Sequence, residues 1–91
     1  MKKIHPSGQF KKDFKKYRRY PDKVKAFKKI VDMLINEIPI PKEHKPHPLK
    51  GNYKNCMECH ISNQTDDYLL IWVEGDIIDL IRIGSHSELY G

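Results

Sequence analysis

Apolar residues recur with two different periods along this chain, and the change from one to the other falls near Gly51. Before it the period is helical. Phe10, Phe14 and Tyr17 are spaced four and three apart with Lys11, Lys12, Lys15, Lys16, Arg18 and Arg19 between them, which predicts an amphipathic helix with a basic outer face. Ser7 is placed to cap its start. Pro21 breaks this helix, Asp22 is suited to cap a second, and Val24, Phe27, Ile30, Val31, Leu34 and Ile38 carry the helical period onward. The pair forms a helical hairpin, ended by Pro39 and Pro41. The stretch from there to Pro48, which contains His44 and His47, reads as a loop too short to link two domains.

Beyond Gly51 the period falls to two. Residues 53–61, 68–74 and 77–83 read as three strands, the last two joined by a tight turn at Gly75 and Asp76. Strands in series make an antiparallel meander, and a short strand near residues 3–5 is placed to add an edge. The expected architecture is α+β, an N-terminal helical hairpin packed on a small antiparallel sheet. At 91 residues and 10.8 kDa the chain has room for one domain, taken to span residues 1–91. A core of that size leaves no large internal chamber. No run approaches the roughly 20 apolar residues that span a bilayer, and the start has no signal-like apolar stretch, so no membrane partner and a cytoplasmic location are expected.

Charge alters the picture more than composition does. The net charge of +5 conceals 15 Lys/Arg against 5 Asp/Glu in residues 1–50 and 2 against 7 in residues 51–91. Such a basic half attracts phosphate through counterion release, with affinity but without sequence choice. The same lysines also serve simply to solvate two helices.

Cysteine spacing raises two further possibilities. Residues 56–60, Cys-Met-Glu-Cys-His, match the C-x-x-C-H pattern of covalent haem attachment, and His44, His47, Cys56 and Cys59 have spacings suited to zinc. Both readings meet the same objection. On a strand, residues three apart point to opposite faces, so the sulfurs diverge. The cysteines are therefore read as small, semi-buried strand residues, and no cofactor is expected.

The polar residues of the second half are more informative. His60 ends the first predicted meander strand, Asp66 and Asp67 precede the second, and Arg82 ends the third. Antiparallel order brings these three ends to one edge of the sheet, and the turn at Gly84 and Ser85 adds His86. Two histidines, an acid and an arginine suit phosphoryl transfer. Cleavage of RNA by its own 2′-hydroxyl needs a base, an acid for the departing 5′-oxygen and a cation for the phosphorane, and no metal is then required.

The runs His47-Pro48-Leu49-Lys50-Gly51-Asn52-Tyr53-Lys54, Glu58-Cys59-His60-Ile61, Asp67-Tyr68-Leu69-Leu70-Ile71 and Arg82-Ile83-Gly84-Ser85-His86-Ser87-Glu88-Leu89-Tyr90 resemble the YafQ branch of the RelE/ParE toxin superfamily. The resemblance covers nearly the whole chain. It implies a RelE-like fold and a type II toxin that cleaves messenger RNA in the ribosomal decoding site, silenced by a co-expressed antitoxin. By motif matching, His47, His60, Asp67, Arg82 and His86 fall on the family's active-site positions. Tyr90 falls on its terminal aromatic, and Lys50 and Tyr68 join it as substrate contacts. Lys11, Lys12, Lys15 and Lys16 are the residues expected to hold ribosomal RNA phosphates, and an acidic antitoxin segment is expected to cover the basic face. The connection 62–66 is longer than the family's usual one, so either Asp66 or Asp67 suits the acidic position. Two other functions remain for comparison: a gyrase inhibitor of the same superfamily, and a noncatalytic RNA-binding module.

Overall fold

In a computed structural model that describes residues 1–62 and 67–91, Ser7 caps the first helix by accepting a hydrogen bond from the Phe10 N–H at 3.0 Å. That helix, α1 (Gly8–Tyr17), follows β1 (Lys3–Pro6) and leads into α2 (Pro21–Ile35). Asp22 does not cap α2. Pro21 takes the first helical position after Tyr20, where its missing N–H costs nothing, and Asp22 lies in the first turn, favourably placed at the positive end of the helix.

The proline-rich stretch holds a short 3₁₀ turn at Lys42–His44 and a two-residue strand β2 (His47–Pro48), and a second 3₁₀ turn follows at Gly51–Tyr53. The first meander strand is thereby shorter than its sequence pattern predicts. It is β3 (Met57–His60), because positive φ angles at Gly51 and Asn55 bend the backbone away from extended geometry. β4 (Tyr68–Val73) and β5 (Ile77–Ser85) follow, and a short helix α3 (His86–Tyr90) stands where only a turn is expected. A capping box between Ser85 and Glu88 starts α3.

The five strands lie in the order β1-β5-β4-β3-β2. The meander is antiparallel as expected, but β1 pairs parallel with β5, which makes the sheet mixed. Alternation along the strands separates two apolar clusters. Leu70, Trp72, Ile78, Leu80, Ile83 and Cys59 pack against Phe10, Tyr17, Phe27 and Ile30 of the helices. Leu69 and Ile71 pack on the other face with Cys56 and Leu89, so the two cysteine sulfurs lie on opposite sides of the sheet. Among the described residues no group of three or more His, Cys, Asp and Glu is arranged to hold a metal.

β1 covers β5 only from Ile77 to Leu80. Beyond that point α1 and its cap take over the exposed edge. The Ser7 N–H donates to the Leu80 carbonyl at 2.9 Å, the Ser7 hydroxyl donates to the Ile81 carbonyl at 3.1 Å, and Asp13 accepts from the Ile83 N–H at 3.1 Å. The backbone groups of this sheet edge are thereby paired by Ser7 and Asp13 where β1 no longer covers β5.

Candidate active site

The site lies on the sheet face away from α1 and α2. Arg82 reaches it because of a β-bulge: Ile71 pairs with Arg82 but Trp72 pairs with Leu80, which leaves Ile81 as the extra residue. Without the bulge, alternation from the core residue Leu80 would send Arg82 into the helical layer. Arg82 is therefore not at the end of its strand, as the sequence pattern predicts, but three residues before it. It shares a row across the sheet with Ile71 and Glu58.

Its guanidinium is held by two elements. Nε donates to Asp13 Oδ2 at 2.7 Å and Nη2 to Asp13 Oδ1 at 3.1 Å, while Nη1 donates to the Tyr53 hydroxyl at 3.2 Å. The hydrogen bond to Asp13 is the largest influence on its pKa, which is raised beyond an already high value, so the group keeps its charge.

At the other end of the row, Glu58 is 6% exposed, so its carboxylate must take partners from the protein in place of water. The Tyr90 hydroxyl donates to its Oε2, and His47 Nε2 stands 3.3 Å from its Oε1. His47 Nδ1 lies 2.7 Å from the Lys45 carbonyl. Both ring nitrogens thus face oxygen atoms of the protein. Burial first, and then the bond to Glu58, raise the pKa of the Tyr90 hydroxyl, which stays protonated as a donor. Tyr90 also meets Tyr53 edge-on at 5.9 Å and the His86 ring at 5.1 Å. One chain of contacts therefore runs from His47 through Glu58, Tyr90 and Tyr53 to Arg82.

His86 opens α3, and its N–H donates to the Asp67 carbonyl at 3.0 Å, which ties the start of β4 to the end of β5. Asp67, His86, Ser87 and Tyr90 line a shallow recess of about 460 Å³. Lys50, Asn52, Tyr53 and Leu89 line another, of about 300 Å³, on the other side of Tyr90. His60 ends β3 on the same face as Glu58, opposite Leu69, and its carbonyl lies 2.9 Å from His44 Nδ1. Asp66 lies outside the described residues.

Two expectations fall elsewhere. Tyr68 starts β4 with the opposite parity, so its ring packs against Tyr17 at 5.6 Å beneath the Lys23 ammonium at 4.1 Å. The structure does not bring it to the Tyr90 face. Lys11, Lys12, Lys15 and Lys16 are exposed on α1, across the sheet from the recess.

Residues 2–91 match a family model described as a bacterial toxin of type II toxin-antitoxin systems, YafQ. The chain belongs to the YafQ family. The mRNA interferase toxin YafQ of Escherichia coli K12 is 32% identical over 90 residues, which are 97% of this chain and 95% of the relative. The crystal structure of YafQ from E. coli strain BL21(DE3) matches all of both chains with a TM-score of 0.87 at 30% identity. The toxin in an E. coli DinJ–YafQ complex does so with a TM-score of 0.85 at 31% identity.

Within this YafQ-family fold, sequence reasoning passes over three residues of the site: Asp13, Glu58 as a site carboxylate, and Tyr53. Asp13 carries a readable signal. With Phe10, Phe14 and Tyr17 it completes the spacing of a buried helical stripe, and a lone carboxylate on such a stripe needs a partner inside the protein. Glu58 has the parity of His60 on the same strand. Tyr53 has no comparable signal, because it lies in a 3₁₀ turn where alternation does not apply.

Proposed function

We propose that this protein is the toxin of a type II toxin–antitoxin pair and a cytoplasmic, ribosome-dependent endoribonuclease that cuts messenger RNA through its own 2′-hydroxyl. Membership of the YafQ family and the mRNA interferase relatives support the reading. The observation that carries it is the Arg82 guanidinium, fixed and charged on the face that also holds Glu58, Tyr90 and His86.

His60 takes the 2′-hydroxyl proton, with Asp67 at the same end of the sheet, as the 2′-oxygen attacks phosphorus. Arg82 neutralises the phosphorane. The bond from phosphorus to the 5′-oxygen breaks, and His86, exposed on the rim of the recess, supplies the proton that the departing oxygen needs. His47, 3.3 Å from the Glu58 carboxylate, joins the site from β2 and orients that carboxylate. Tyr90 offers its ring face to a base, and Lys50 supplies charge beside it. Lys11, Lys12, Lys15 and Lys16 hold ribosomal RNA phosphates. The partner is a cognate antitoxin, by analogy with the DinJ–YafQ complexes, and the basic excess of residues 1–50 suits an acidic segment on it.

The test is sequencing of messenger RNA 5′ ends after brief induction of the wild type and of His86→Ala. Cuts at a fixed register within codons are expected for the wild type. Single-turnover cleavage by His86→Ala is expected to be about 10²- to 10⁴-fold slower at nearly unchanged ribosome affinity. Intact messages accompanied by DNA damage would instead point to gyrase as the target.

A further inference from the structure

Arg82 enters the site along a strand, but what fixes its direction comes from elsewhere. A guanidinium has five N–H donors. Asp13 engages one on Nε and one on Nη2, and Tyr53 engages one on Nη1, so one N–H on each terminal nitrogen is left among the described contacts. Asp13 also accepts from the Ile83 N–H, which locks the carboxylate to the backbone of the residue next to Arg82. Its side chain is 11% exposed, against 20% for that of Arg82. The pair is thus largely removed from water, where a carboxylate's choice of partner is costly to change.

We propose that Asp13 is a positioning residue for the reaction: it turns the Arg82 fork so that only the outward N–H groups are presented to the scissile phosphate. Tyr53 fixes the plane of the fork from the opposite side. Asp13 touches no substrate in this arrangement. Its effect runs through Arg82, and the inference rests on the reading of Arg82 as the phosphorane cation. The geometry has a second consequence. α1 carries the exposed lysines on one side and Asp13 on the other, so the surface that grips RNA phosphate and the group that orients the catalytic cation belong to one rigid element.

The experiment is a double-mutant cycle on single-turnover cleavage of ribosome-bound message, with ribosome affinity and thermal unfolding measured in parallel. Asp13→Asn keeps the shape but sets an amide N–H₂ against N–H donors. It is expected to slow cleavage by about 10²-fold, the scale of a small misplacement of a catalytic group, at unchanged affinity. Tyr53→Phe keeps the ring and removes one hydrogen bond, and a loss of about three- to tenfold is expected. In an Arg82→Ala background each change should cost less than about twofold, because the group being positioned is gone. A purely structural role would show as a loss of unfolding temperature that persists undiminished in that background. If Asp13→Asn and Tyr53→Phe both cleave at the wild-type rate while Arg82→Ala is slow, the positioning role is wrong and the proposed reaction stands. If Arg82→Ala itself cleaves at the wild-type rate, the assignment of Arg82 fails and the role of Asp13 fails with it.

Discussion

A carboxylate removed from water needs donors in place of its hydration, and Glu58 draws them from two distant parts of the chain, His47 and Tyr90. Tyr90→Phe deletes one of those donors and leaves the ring. The variant is expected to unfold at a lower urea midpoint, with a loss of about 1–3 kcal/mol. An unchanged midpoint would show that water replaces the hydroxyl. Cys59 illustrates burial without function. It is fully buried in the helical core, where burial first and the charge of Glu58 second push its thiol up to about 12 from an ordinary 9.0. Because the folded state holds this proton more tightly than the unfolded state, stability is complete below pH 9 and declines between 9 and about 12. Equilibrium denaturation across that window should show the loss, and Cys59→Ala should lessen it. The thiol should also resist alkylation at neutral pH until the protein unfolds.

At the scale of elements, the two helices and the meander are legible because periods of 3.6 and 2 survive in the sequence wherever one face is buried. What escapes is set by irregular backbone. The bulge that turns Arg82 outward has no glycine to announce it, and α3 is only five residues long, so its fold back over Leu69 and Ile71 leaves little periodic trace. The convergence of His60, Asp67 and His86 at one end of the sheet follows from strand order alone. The partners of Arg82 do not, since Asp13 lies 69 residues away. For α1 the role proposed for the exposed lysines is separately testable. Replacing Lys11, Lys12, Lys15 and Lys16 together by Gln should weaken ribosome binding and reduce the slope of log affinity against log salt by up to about 3.6, each phosphate contact contributing about 0.7 to 0.9. The positions of cleavage should not move, because phosphate contacts read no bases. An unaltered slope would return these lysines to solvating the helix.

For the molecule as a whole, the charge is divided between the two halves of the chain, and the basic excess lies in the first fifty residues. A partner that silences the protein with an acidic segment should lose affinity steeply between low and physiological salt, as titration calorimetry at several ionic strengths would show. Salt-independent binding would mean that apolar contacts hold the pair. The order of strands bears on how the molecule comes into being. β5 sits between β1 and β4 and is synthesised after both, and it is tied to the start of the chain by contacts across 69 and 74 residues. Such long-range pairings must close before the sheet is complete, which slows folding. During translation the basic helices emerge long before the strand that completes the sheet, so the residues proposed to hold phosphate precede those proposed to break a phosphodiester. A chain ended before position 82 lacks Arg82, His86 and the second half of β5, and is expected to leave ribosome-bound message uncut in the single-turnover assay.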